Sequence, residues 1–155
     1  MIINGAIRMS RNIGLITGAA SGIGLKTVKR LLKKGWEIYG LDNDKNSLEQ
    51  SSEEIDNCNF IAKPCDLRNE EALKNIFAEI QKDNQKINAL IACAGVLKLG
   101  ALEDMPTEDF DLIFDINVRG LWLSAREALP FLKNAASSGE LSRIILLSSV
   151  SALRP

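Results

Sequence analysis

Residues Thr17 to Gly24 read T-G-A-A-S-G-I-G, directly after the apolar run Ile13-Gly14-Leu15-Ile16 and directly before an amphipathic stretch. The order is strand, glycine loop, helix start. A chain that leaves a strand and enters a helix across so few residues needs positive φ values, which glycine adopts without a Cβ penalty. The same glycines let the backbone approach a pyrophosphate, and the helix N-terminus points unpaired N–H groups and a partial positive charge at it. A tight strand-to-helix turn with no ligand would use the same residues. The rest of the chain decides between the two.

Working outward, strand and helix patterns alternate to the end. Ile13 to Thr17 is the first strand. Gly22 to Lys34 is a helix with an apolar stripe of Ile23, Leu25, Val28, Leu31 and Leu32, ended by Gly35. Glu37 to Leu41 is a second strand, Asn46 to Asn57 an exposed polar helix, and Asn59 to Lys63 a third strand. Asn69 caps a helix reaching about Asn84, with Glu70 and Glu71 at its positive end. Ile87 to Ala92 is the fourth strand. After a loop through Pro106, Thr107 caps the longest helix, Glu108 to about Lys133, in which Pro130 bends or ends the last turn. Ser142 to Leu147 is the fifth strand. Strands separated by helices make βαβ units, so the fold class is α/β: one doubly wound, Rossmann-type parallel sheet of five strands. No repeat, low-complexity tract or linker divides the chain, and residues 1–155 are expected to form a single domain. Residues 1–11 read as a poorly structured extension, with a more compact start available at Met9.

Composition narrows the function. With 46% hydrophobic and 25% charged residues and a net charge of −1, the chain is an ordinary globular one without a basic stripe, which argues against nucleic acid as a partner. No apolar run approaches the roughly 20 residues that span a bilayer, and the N-terminus is too short and polar for a secretory signal. Cys58, Cys65 and Cys93 lack metal-like spacing and read as reduced, mostly buried thiols of a cytoplasmic protein. There is no histidine, so the commonest general base and zinc ligand are missing, and no metal site is expected.

Asp42 ends the second strand, eighteen residues after Gly24. A carboxylate there accepts both hydrogen bonds of an adenosine ribose and repels a 2′-phosphate. Ser21 in the glycine loop offers no cation to such a phosphate, so both residues favour NAD over NADP. In isolation Asp42 could be a turn aspartate of D-N-D-K. Asp66, in P-C-D-L after the third strand, either accepts from an adenine amino group or flanks the next helix as an N-terminal acid. Ala94 and Gly95 end the fourth strand in A-C-A-G-V, where small residues let backbone run beside a cofactor or simply leave the sheet. Asn117 sits mid-helix in D-I-N-V-R-G, a position its competing side-chain hydrogen bonds disfavour, and so it invites a reason. Ser148 and Ser149 follow the fifth strand, at the carboxyl edge where open α/β sheets bind ligands.

In this order the pieces resemble the short-chain dehydrogenase/reductase family: T-G-A-A-S-G-I-G, Asp42, Asp66, Ala94-Gly95, Asn117 and L-S-S-V at Leu147 to Val150. The resemblance covers essentially the whole chain and the N-terminal portion of the family. It implies NAD held by Gly18, Ser21, Gly22, Ile23, Gly24, Asp42, Asp66, Leu67 and the Cys93-Ala94-Gly95 segment. It also implies that Ser149 bonds the substrate oxygen and that Asn117 holds the water of a proton relay. Two departures stand out. Ala92 and Cys93 replace asparagines that in the family tie neighbouring strands together, a change expected to cost rigidity more than chemistry. The family's catalytic tyrosine, followed four residues later by a lysine, belongs to a helix beyond the serine-bearing strand, and the sequence stops at Pro155. The one tyrosine, Tyr39, is followed at the fourth position by Asn43.

Three readings follow. The first is part of an NAD-dependent oxidoreductase that passes hydride between an alcohol or carbonyl substrate and the nicotinamide, with this chain alone catalytically incompetent. The second is a non-catalytic NAD-binding or partner-dependent remnant, and the third a truncated product without its own function. The apolar run Ile144-Ile145-Leu146-Leu147 suits a strand buried on both faces. A homo-oligomer or another partner is therefore expected to cover the Ser142 to Leu147 edge. The small-molecule substrate of the complete enzyme is not named by Val96 to Pro106.

Overall fold

The strand before the glycine loop, β1 (Ile13–Thr17), is buried at all five positions because it lies in the middle of the sheet. It pairs in parallel with β2 (Glu37–Asp42) on one side and with β4 (Ala89–Ala92) on the other. β3 (Phe60–Pro64) continues the sheet beyond β2, and β5 (Arg143–Leu146) continues it beyond β4. The order is β3-β2-β1-β4-β5, all parallel, in a computed structural model that describes residues 11–149. The expected extension falls outside the described residues apart from Arg11, whose guanidinium donates to Asn59 at 2.6 Å.

Side chains alternate across the sheet, as the twofold strand period requires. On one face, Ile16, Ile38 and Ile91 pack with Val28 and Leu32 of α1 (Gly22–Leu32) and with Leu48 of α2 (Lys45–Ile55). On the other, Leu15, Leu41 and Leu90 pack with Leu73 and Phe77 of α3 (Glu70–Asp83) and with Leu123 and Phe131 of α5 (Leu121–Ser137). A Rossmann-type two-faced sheet results. No helix among the described residues is long and apolar enough to cross a membrane.

Several boundaries move for local reasons. α1 stops at Leu32 rather than Lys34, because the N–H groups of Lys34 and Gly35 bond back only three residues, and Gly35 turns the chain at φ 80°. Ile23 is not part of its buried stripe; it is 63% exposed, and Gly24 takes the inward position. α2 begins at Lys45, capped by the Asp44 carboxylate, which accepts from the Ser47 N–H at 3.0 Å. Asn69 caps α3 as expected, accepting from Ala72 N–H.

The longest predicted helix is three segments. α4 (Thr107–Phe114) starts after Pro106, and Thr107 is its first residue rather than a side-chain cap. A π-helical turn at Asp115–Gly120 then leads into α5. Pro130 lies inside α5 without ending it, because Phe131, Leu132 and Ala135 beyond it are buried in the core. β5 departs most from expectation. Ile144, Ile145 and Leu146 are 43–51% exposed rather than buried on both faces.

Candidate functional site

In the order β3-β2-β1-β4-β5 the chain direction of assembly reverses between β1 and β4. A crevice opens there at the carboxyl ends of the strands, where open α/β sheets bind ligands. A cavity of about 400 Å³ occupies it. From the glycine loop it is lined by Gly18, Ser21, Gly22, Ile23 and Gly24. The ends of β2 and β3 supply Asp42, Asp66 and Leu67, and the exit of β4 supplies Cys93, Ala94 and Gly95. All the sequence-predicted cofactor positions therefore meet in one place.

The glycines of the loop have separate tasks. Gly18 has φ 70°, and a Cβ on it would sit 2.8 Å from the Ala94 nitrogen, so it lets β1 exit hard against β4. A Cβ on Gly24 would collide with the Gly18 carbonyl, so Gly24 seats the helix on the turn. Gly22, at φ 53°, has no neighbour within 4 Å of an added Cβ, and it lines the cavity. The loop is tied to both adjacent strands: Ala19 N–H donates to the Leu41 carbonyl at 3.1 Å, and Ala94 N–H to Thr17 Oγ1 at 3.2 Å. With Cys93 N–H donating to the Thr17 carbonyl, the β1–β4 tie is made by Thr17 where Ala92 and Cys93 offer no amide side chains.

Asp42 is held at the cavity edge by two backbone donors, Ala20 N–H at 2.9 Å to Oδ2 and Asp44 N–H at 3.0 Å to Oδ1. A carboxylate has about four lone-pair positions, so each oxygen keeps acceptor capacity for a diol. Asp66 is paired instead with Arg68, whose Nη2 lies 2.6 Å from Oδ2. That hydrogen-bonded guanidinium holds the Asp66 carboxyl below its ordinary range. Burial, with the Asp66 charge beside it, pushes the Cys65 thiol up to about 11, and burial also raises Cys93. Both are thus protonated and poorly nucleophilic at neutral pH. Cys58 departs from the expectation of burial and is exposed.

Neither Asn117 nor Ser149 lines the cavity. The Asn117 side chain has a partner for each polar atom: Oδ1 accepts from Val96 N–H at 2.8 Å, and Nδ2 donates to the Val96 carbonyl at 2.9 Å. It clasps the π turn to the chain leaving β4. Ser149 lies past β5 in an exposed position. Tyr39 is buried in β2 with its hydroxyl bonded to Asn84 at 2.8 Å, and burial followed by the nearby Glu37 charge raises its pKa. It is no general base. Among the described residues no group of three or more His, Cys, Asp or Glu is placed to hold a metal ion.

Six further residues line the cavity: Leu41, Asn43, Asp44, Cys65, Val96 and Ile116. The first four flank Asp42 and Asp66 at strand ends, a signal available in sequence. Val96 and Ile116 come together through the Asn117 clasp, which no pattern announces.

The short chain dehydrogenase family matches the chain over residues 12–155. A probable short-chain type dehydrogenase/reductase, VdlC, of Helicobacter pylori is 33% identical over 138 residues, covering 89% of this chain and 48% of that protein. The 3-oxoacyl-(acyl-carrier-protein) reductase FabG of Rickettsia bellii is 30% identical over 144 residues, covering 93% of this chain and 56% of that protein. In structure, the 3-ketoacyl-(acyl-carrier-protein) reductase from Brucella melitensis, complexed with NADH, superposes with a TM-score of 0.84 at 31% identity, covering 93% of this chain and 60% of that one. The chain spans about half the length of the two sequence relatives. Because the family match runs through the glycine loop, every strand of the sheet and the cavity between them, the chain belongs to the short-chain dehydrogenase family of oxidoreductases.

Proposed function

We propose that this chain forms the NAD-holding half of a short-chain oxidoreductase that passes hydride between an alcohol or carbonyl substrate and the nicotinamide. The observation that carries the reading is Asp42. Its carboxylate is oriented by the Ala20 and Asp44 N–H groups at the rim of a cavity that the glycine loop also lines. A carboxylate with open acceptor positions next to a glycine-rich helix start supports the reading, because a dinucleotide's adenosine half needs a diol acceptor beside a phosphate cradle. The donor set fits the cofactor: Gly22 leaves room for a phosphate oxygen, and Ala94 and Gly95 leave room for a ribose.

NAD is favoured over NADP because a 2′-phosphate would meet the Asp42 charge, and Ser21 offers no compensating cation. NAD, when bound, supplies the hydride acceptor. This chain's residues hold its adenosine end and shape the floor of the crevice. Tyr39, the one tyrosine of the sequence, is buried in the sheet with a raised pKa and does not serve as the proton acceptor. Losing a positioned general base costs about 10²–10⁴ in rate, so the isolated 155 residues are expected to bind NAD without turnover.

Calorimetric titration tests the assignment. NAD is expected to bind more tightly than NADP, and Asp42→Ala to remove that preference. NADP binding more tightly than NAD, or no binding of either, overturns it. Dehydrogenase activity from the isolated chain would overturn the division of labour. Activity appearing when a second polypeptide supplies a tyrosine and a lysine four residues apart on one helix would support it.

A further inference from the structure

Ser51 is the one polar side chain that α2 buries. It is 6% exposed and shares the inward face of the helix with Leu48. A serine in mid-helix often bonds the carbonyl four residues back. Ser51 instead donates its hydroxyl to the Ala20 carbonyl of the glycine loop, 31 residues away, at 3.2 Å. The Ala20 N–H is already held by Asp42 Oδ2 at 2.9 Å. Both backbone polar groups of Ala20 are thus fixed by side chains, one from β2 and one from α2. Asp42 Oδ1 in turn accepts from the Asp44 N–H, and Asp44 caps α2. The contacts close a ring that runs from Ala20 through Asp42, Asp44 and α2 to Ser51 and back to Ala20.

The Ala20 carbonyl shares a peptide plane with the Ser21 N–H. That peptide is trans, so the two groups point in opposite directions. A bond that turns the carbonyl toward α2 turns the Ser21 N–H away from it. Ser21 occupies the N-cap position of α1, is exposed and lines the cavity. Its side chain accepts no capping bond, and among the described residues its N–H has no hydrogen-bond partner. The loop therefore brings an unused donor to the cavity, one residue along from the contact between Ala20 and Asp42.

We propose that Ser51 is a positioning residue of the nucleotide site: it holds the Ala20 carbonyl toward α2 and so presents the Ser21 N–H to an acceptor oxygen of the bound nucleotide. This rests on the dinucleotide reading above. Among the described residues the Ser51 hydroxyl is the one partner of that carbonyl. Without it the peptide is free to rock about the bonds on either side. The donor must then be oriented when the ligand arrives, and the ordering cost appears as weaker binding. Ser51 itself does not line the cavity, so its removal takes no contact away from a ligand.

Ser51→Ala is the test, because it removes the hydroxyl, adds no bulk and suits a helix. Calorimetric titration with NAD is expected to show affinity weaker by about three- to tenfold, the value of one hydrogen bond. In proton–nitrogen correlation spectra the Ser21 amide proton is expected to move downfield when NAD is added to wild type, as a donor gaining an acceptor does. At saturating NAD the movement in Ser51→Ala should be smaller. A merely structural Ser51 would lower the urea midpoint and leave both readouts as they are in wild type. The inference is overturned if Ser51→Ala binds NAD within about twofold of wild type. It is equally overturned if the wild-type Ser21 amide stays in place while NAD binds, or if the variant keeps the full movement. Any of these results, with NAD bound by wild type, sinks this inference alone. No NAD binding by wild type sinks the dinucleotide reading and this inference with it.

Discussion

Gly22 and Gly24 lie two residues apart, yet a methyl group added to each meets different surroundings. On Gly24 it would collide with the Gly18 carbonyl inside the turn. On Gly22 it would meet no atom within 4 Å, with only the φ of 53° to oppose it. Gly24→Ala is therefore expected to cost about 2–3 kcal/mol of stability, as overpacking does. Gly22→Ala should cost about 1 kcal/mol, the penalty for a left-handed residue with a Cβ. On the proposed reading it should nevertheless lose most NAD affinity, because Gly22 lines the cavity where a phosphate is proposed to lie. Urea denaturation and NAD titration of both variants separate the effects. Equal stability loss with unchanged NAD binding in Gly22→Ala would show that the open side of Gly22 holds no ligand.

Among elements, the strand ends are held by contacts that hydropathy does not announce. Asn88 is 1% exposed just before β4, and each of its polar atoms is paired. Its Oδ1 accepts from the Ile13 N–H at 2.8 Å, and its Nδ2 donates to the Leu141 carbonyl at 3.0 Å and to Glu140. One side chain thus joins the start of β1 to the segment leading into β5. Asn88→Leu keeps the volume but orphans the buried Ile13 N–H and a carbonyl, and is expected to cost about 3 kcal/mol. A loss below about 1 kcal/mol by urea denaturation would mean that water or backbone shifts replace the clasp. These contacts also mark how far the sequence could be read. Strand and helix identities follow from local periodicity and turn residues, and the cavity follows because its lining sits at the ends of those strands. Asn88 and Asn117 look like polar intrusions until their distant partners, Ile13 and Val96, are known. The π turn at Asp115–Gly120 is invisible for the same reason, since a residue added to one helical turn leaves the apolar pattern on either side intact.

Across the whole molecule, the two edges of the sheet are finished to different degrees. Over β1, β2 and β4 both faces are covered and β3 is half-buried, whereas Ile144, Ile145 and Leu146 of β5 leave apolar surface on both sides of an edge strand, a site where pairing with another chain is favoured. On the α3–α5 face an ion-pair group fastens the covering helices to one another. Glu70, in the first turn of α3, accepts from Lys74 and from Arg126 of α5, each at 2.8 Å, and faces Arg119 at 3.7 Å. Hydrogen bonds from Lys74 and Arg126 hold the Glu70 carboxyl down at about 2, against an ordinary 4.5. The folded chain therefore takes up this proton less readily than the unfolded chain. The Glu70 contribution is fully present above about pH 4.5 and is lost as the pH falls toward about 2. Glu79 and Glu140, whose carboxyls are lowered chiefly by Lys63 and Lys86, act with the same sign. Stability should consequently fall on acidification below about pH 5, and Glu70→Gln should make that fall shallower while lowering the plateau at neutral pH. Because the group is solvent-accessible, the plateau difference should be small and should shrink further in high salt. Urea midpoints for both proteins from pH 7 to pH 2, at low and high salt, measure it. Parallel curves at every pH would show that the Glu70 cluster does not join the helices energetically, and that the apolar contacts of Leu73, Phe77, Leu123 and Phe131 hold that face alone.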